Sequence, residues 1–234
     1  MTASDPPQPY SSDYYRAQRD GARRSARAIV PLVLELVEPR SVLDVGCGAG
    51  AWLSVFRDLG IADIFGVDGG EVDELLEIPP ERFRAVDLRR PLQLDRRFDL
   101  AVSLEVAEHL PPEYADVLVD SLTALGDVVL FSAAIPGQGG TEHLNEQWPD
   151  HWAGLFGARG YLPVDCLRRK VWNDDEVEWW YAQNILLFAP GAQLERRPAL
   201  RREYEFAGTR QLSIVHPHRY LEWIEWGTGQ WQDG

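Results

Sequence analysis

The chain has 234 residues, 45% of them hydrophobic, enough for one domain of ordinary size with a buried core. Its 37 acidic and 23 basic residues leave a net charge of −14, which repels phosphate backbones and anionic membranes and argues against both as partners. No apolar leader core follows MTASDPPQPY, no long apolar run occurs, and Cys47 and Cys166 form no CxxC pair, so a cytoplasmic, reducing location is expected.

Residues 1–11 are polar and Pro-rich and read as a disordered arm. Helical spacing of Ala26, Ile29, Val30, Val33, Leu36 and Val37 predicts a helix over 12–37, with Pro31 inside it. Short apolar runs then alternate with helical stretches: a strand over 41–45, a helix over 51–59 ended by Gly60, and a strand over 64–67. An acidic segment over 71–77 and a strand over 84–87 follow. Next come a strand over 98–103, a helix over 112–124, a strand over 127–133 and a helix over 148–159. Such repetition argues for parallel βαβ units covered on both faces. The rhythm then changes. Residues 161–171 and 180–189 read as two strands with only a loop between them, which should pair antiparallel. An extended Trp179-Trp180 pair would point to opposite sides. The remainder, 190–234, reads as a C-terminal extension ending in an amphipathic helix with Trp223 and Trp226 at i,i+3.

The most specific segment is Val42-Leu43-Asp44-Val45-Gly46-Cys47-Gly48-Ala49-Gly50, a strand running into a glycine turn and a helix. Alternate glycines let backbone N–H groups approach a ligand at the positive end of the following helix. Alone, the segment also satisfies a dinucleotide fingerprint. Its company narrows the choice. Asp68 ends the next strand in FGVDG, 22 positions after Gly46, where a carboxylate can accept both hydroxyls of a ribose. Asp87-Leu88 ends the third strand, and FDLAVSLEVAEHL forms the fourth with its loop. Lys170, the only lysine, lies far from these glycines, which argues against a P-loop or a Schiff-base enzyme.

The ordered set VLDVGCGAG, FGVDGG, AVDL and FDLAVSLEVAEHL resembles the class I (Rossmann-like) S-adenosylmethionine-dependent methyltransferases. The resemblance covers residues 12–189 and implies a three-layer, doubly wound α/β/α fold. In that fold a seven-stranded, mostly parallel sheet ends with an antiparallel last strand. It implies S-adenosyl-L-methionine as cofactor. Asp44, Gly46, Cys47, Gly48 and Gly50 would hold its methionine part, Asp68 and Gly69 the ribose, and Asp87 with Leu88 the adenine. Ser103, Leu104 and Glu105 would line the sulfonium. Tyr15 or Arg24, on the first helix, would meet the cofactor carboxylate, for which arginine offers a planar fork.

Methyl transfer is an in-line displacement, and a hydroxyl acceptor adds the need for a general base, worth about 10²–10⁴ in rate. His143, in AAIPGQGGTEHLNEQW after the fifth strand, is the candidate base or acceptor ligand, oriented by Glu146 or Glu142. His109 in EHL either orders its loop or takes a proton. His216-Pro217-His218 lacks supporting ligands, and no metal site is expected. The sequence thus reads as a methyltransferase of a small-molecule acceptor, most simply at oxygen of a specialised metabolite or saccharide. The alternatives are N-, carboxyl- or protein-directed methylation, a cofactor-binding protein without catalysis, and a nicotinamide-dependent oxidoreductase. For the last, no substrate domain is found.

Overall fold

The structure, a computed structural model, describes residues 12–69, 76–207 and 211–230, with side chains over 20–69, 76–207 and 211–224. The arm over 1–11, residues 71–75 of the acidic segment and the side chains of Tyr15 and Trp226 lie outside the described residues.

Helix α1 (Ser12–Val37) leads into β1 (Ser41–Val45), α2 (Ala51–Asp58) and β2 (Asp63–Asp68). Then come β3 (Phe83–Ala85), β4 (Phe98–Leu104), α3 (Ala115–Leu125), β5 (Gly126–Ser132) and α4 (Pro149–Gly157). Strand β6 (Tyr161–Val164) is followed by short helices α5 (Arg168–Val171) and α6 (Trp179–Asn184), then β7 (Leu186–Pro190). The chain closes with α7 (Gly191–Arg196), α8 (Pro198–Ala207) and α9 (Pro217–Gln230). The seven strands form one sheet in the order β3-β2-β1-β4-β5-β7-β6. All pairs are parallel except the two that β7 makes, so β7 alone runs against the rest.

Alternation along the strands divides the core in two. Val42, Ile64, Leu100, Val102, Val128 and Leu130 face α1, α2 and α6, where Ile29, Val33, Leu53, Phe56 and Tyr181 are buried. Leu43, Val45, Ala101, Val129 and Phe131 face α3 and α4, where Leu118, Leu122, Trp152 and Phe156 are buried. Strand order reverses between β1 and β4, whose pairing runs Val42 to Leu100 and Asp44 to Val102. At such a switch point the loops leaving the strands part and leave a crevice at their carboxyl ends.

Three expectations need correction. The segment after α4 is not two long strands: β6 stops at Val164, and α5 and α6 lie between it and β7. Helix fits here because Arg168 is buried and bound to Asp165 three residues earlier, while Gln183 and Asn184 turn inward to a polar cluster. The antiparallel pairing expected of these strands does form. Trp179 and Trp180 are accordingly helical. Trp180 packs beside the first core, and Trp179 stacks on His218 at 6.0 Å. Finally β3 ends at Ala85, so Asp87 lies on the loop beyond it rather than in the strand. After β7 the chain stays on the same body: Leu194 and Leu200 join the first core, and Arg197 Nε donates to the Val37 carbonyl at 2.9 Å. No helix among the described residues is long and apolar enough to cross a membrane.

Candidate active site

Strand β1 delivers the chain to the crevice, and the turn after it is built from left-handed backbone. Gly46 has φ 83°, and a Cβ there would collide with the Val106 side chain. Gly48 has φ 52°, and a Cβ there would meet no atom within 4 Å, so its backbone fronts open space. Asp68, at the end of β2, accepts from the Gly48 and Gly69 amides, both at 2.6 Å, and so sets the shape of the turn.

In front of this turn lies a cavity of about 540 Å³. Gly46, Gly48, Asp68 and Gly69 form one wall; Val86, Asp87, Leu88 and Arg89 another; Glu105, Val106, His109 and Leu110 the third. Asp87 is held by Arg89 at 2.8 Å, which keeps its carboxyl below the usual carboxylate range. Ser103 and Leu104 are buried in β4 and do not line the cavity. Asp44 and Cys47 lie beneath the turn. Burial, with the charge of Asp68 beyond it, pushes the Asp44 carboxyl up to about 8. The Cys47 thiol, raised by burial and by the same two carboxylates, bonds the Gly48 carbonyl at 3.4 Å and packs the turn. Arg24 is engaged by Glu178 at 2.6 Å and does not line the cavity.

The opposite side of the site comes from the loops after β4 and β5. Glu105 leaves β4 with φ 54°, and its carboxylate accepts from Gln138 and Asn184 amides, each at 3.1 Å. Gln183 extends this buried network, donating to Gln138 Oε1 at 3.2 Å and accepting from the His216 amide at 2.8 Å. A short turn places Glu108 and His109 next. Glu108 is wholly buried; burial first, then the charge of Glu105, holds its carboxyl well above the ordinary range. Burial, with His143 adding to it, lowers His109.

The loop after β5 brings His143 edge-on to His109, ring centres 5.0 Å apart. Glu146 accepts from His143 Nδ1 at 2.8 Å and from the Gly137 and Gly139 amides at 2.7 Å each. One carboxylate therefore orients the imidazole and folds the glycine loop. The loop is closed from outside by α9, where Trp223 Nε1 donates to the Gly137 carbonyl at 2.9 Å and Arg219 donates to the same oxygen.

His143 and Glu146, three residues apart, thus stand beside His109 of the cavity wall, 34 positions before His143 in the chain, and Glu146 rather than Glu142 holds the His143 ring. Sequence reasoning missed Glu108, Gln138, Gln183 and Asn184. The spacing of Glu105, Glu108 and His109 within one turn was the only local sign of the first; nothing local marks the amides.

A seven-stranded sheet of this order with a glycine turn, a strand-end aspartate and a cavity at the switch point defines a class I methyltransferase. A family model described as a methyltransferase domain matches residues 15–180. The chain belongs to this family, and S-adenosylmethionine is its cofactor. Among solved structures it is similar to the sugar N-methyltransferase KedS8 from Streptoalloteichus, at 14% identity and TM-score 0.58 over 81% of this chain and 96% of that one. It is also similar to SAM-bound CalS10, an amino pentose methyltransferase from Micromonospora echinaspora (15%, TM-score 0.57, 79% and 99%). A third is the magnesium protoporphyrin IX methyltransferase of Synechocystis with bound SAH (20%, TM-score 0.53, 75% and 87%). At these identities the likeness is one of fold. No curated protein sequence gives a significant match.

Proposed function

We propose that this chain methylates a hydroxyl oxygen of a small organic acceptor, a specialised metabolite or saccharide. The observation that carries this is the His143–Glu146 pair on the loop after β5, with the His143 ring edge-on to His109 of the cavity wall. The cofactor supplies a methyl group on a positively charged sulfur. In this reading the backbone of Gly46 and Gly48 takes the methionine part, Asp68 the ribose hydroxyls, and Asp87 with Leu88 the adenine edge. Glu105 bounds the cavity toward the sulfur, and Asp44 supports the turn from below. Glu146 fixes the ring of His143 through Nδ1, leaving Nε2 to engage the acceptor hydroxyl. Holding the acceptor oxygen in line with the methyl group is the larger contribution, and the buried amides around Glu105 keep that wall rigid. The charge of −14 favours an acceptor without a phosphate backbone.

Titration calorimetry with the demethylated cofactor, together with methyl release across hydroxylated acceptors, tests the reading. Asp68→Ala should weaken cofactor binding roughly 10- to 100-fold, since hydrogen bonds to a charged group are lost. His143→Ala should abolish turnover with cofactor binding unchanged. Wild-type protein that binds no cofactor, or a His143→Ala variant at full activity, would refute it.

A further inference from the structure

Beside the cavity, one side-chain donor atom from each of Glu108, His109 and His143 lies within 4.8 Å of the others. Glu108 is 0% exposed, and neither of its oxygens makes a hydrogen bond of good geometry with a described residue. The Glu105 carboxyl and the amides of Glu108 and Ala134 are its polar neighbours. A buried carboxylate beside a second one, with no hydrogen bond of good geometry, is costly and calls for a neutralising partner. A proton shared with the Glu105 carboxyl would serve, but it does not account for two imidazoles each with a donor atom within 4.8 Å of the Glu108 carboxylate.

We propose that Glu108, His109 and His143 bind a divalent first-row transition-metal ion such as Mn²⁺, Co²⁺ or Zn²⁺, which takes the acceptor's hydroxyl oxygen as a further ligand. Two imidazoles and one carboxylate suit such ions better than Mg²⁺ or Ca²⁺, which prefer all-oxygen shells. The supporting shell is already present. His143 Nδ1 is bonded to Glu146 at 2.8 Å, which frees Nε2 and fixes the ring, the carboxylate–histidine arrangement that metal ligands commonly use. Ligands about 2.1 Å from an ion stand roughly 3–4 Å apart. Small shifts of the three side chains, already within 4.8 Å of one another, close the remaining gap when the ion binds. His109 also lines the cavity, so the open coordination positions face the acceptor. The inference deepens the reading of an oxygen acceptor: the ion, rather than His143 alone, meets the hydroxyl and favours its ionised form.

The test uses full-length protein stripped with a chelator and then titrated with MnCl₂, following loss of the free-Mn²⁺ electron paramagnetic resonance signal; ZnCl₂ and CoCl₂ are titrated by calorimetry. Demethylated cofactor is titrated in parallel, and circular dichroism checks folding. Wild type should take up one equivalent. Glu108→Gln and His143→Gln should each weaken uptake by at least about 100-fold, and Glu146→Gln, which keeps an acceptor for the loop amides, by roughly 10- to 100-fold. Uptake unchanged in folded Glu108→Gln and His143→Gln variants overturns the site. Wild type that binds the cofactor but none of the three metals also overturns it, leaving the methyltransferase reading intact. Wild type that binds neither overturns both.

Discussion

Asp44 shows how a single residue sets a pH dependence. It is 3% exposed, and its carboxyl is pushed up to about 8 by burial and by the neighbouring charge of Asp68. In the unfolded chain it returns to the ordinary value of 3.8. Between those two values the folded state holds a proton that the unfolded state has released, so stability falls as pH rises from about 4 to 8. The slope from this one group is up to about 1.4 kcal/mol per pH unit. Asp44→Asn, which is neutral throughout, should flatten that slope and raise the melting temperature of cofactor-free protein at pH 8 relative to wild type. Thermal melts at several pH values check it; parallel wild-type and variant curves would show that Asp44 is already ionised in the fold. Asp44 was legible in the sequence as an acid just before a glycine turn. Its burial was not, because that depends on β2 and β4 flanking β1 from distant parts of the chain.

At the scale of elements, what was legible follows how local the cause is. Helix α1 matches its predicted bounds because one stripe of apolar residues, Ala26 to Val37, decides it. The turn from β1 to α2 was legible because Gly46, Gly48 and Gly50 all need positive φ. The stretch from β6 to β7 was misread. Its apolar run mimics strand, while the deciding contacts of Arg168, Gln183 and Asn184 are with residues far along the chain. The glycine loop after β5 was legible as an element but not in its fastening. Glu146 ties it from inside and Trp223 of α9 from outside, both by way of Gly137. Trp223→Ala removes one of the two outer donors to the Gly137 carbonyl and leaves that of Arg219. Amide exchange at Gly137 and Gly139 should rise roughly 3- to 10-fold, the worth of about one net hydrogen bond, with little change in global melting. Hydrogen-exchange mass spectrometry of the 134–147 peptide reads this directly. Unchanged protection would mean that Glu146 and Arg219 hold the loop without the indole.

On the scale of the whole molecule, one buried cation joins segments that no local pattern connects. Arg168 is 1% exposed. Its Nε donates to Asp165 at 2.9 Å, and its Nη1 reaches the carbonyls of Gln183 at 3.1 Å and Leu212 at 2.7 Å. It therefore ties the end of β6 to α6 and to the strand of chain leading into α9, the segment whose Trp223 rests on the glycine loop. Gln183, whose carbonyl Arg168 holds, in turn accepts from His216 and donates to Gln138 beside Glu105. The wall of the site is thus anchored through the edge of the sheet. Removing Arg168 leaves Asp165, 22% exposed, without its partner and two buried carbonyls unpaired; at about 1–3 kcal/mol for each unpaired buried group the loss comes to roughly 3–5 kcal/mol. Arg168→Ala should therefore lower the melting temperature by roughly 6–20 °C for a chain of this size. It should also loosen α9 before the sheet, so that exchange over 211–224 rises further than in β4 or β5. Arg168→Lys should recover little of this, because an ammonium cannot present the planar fork that serves Asp165 and two carbonyls at once. An Arg168→Ala protein that melts within a degree or two of wild type would mean that the apolar contacts of Leu194, Leu200 and Leu212 hold this side of the molecule without the buried charge.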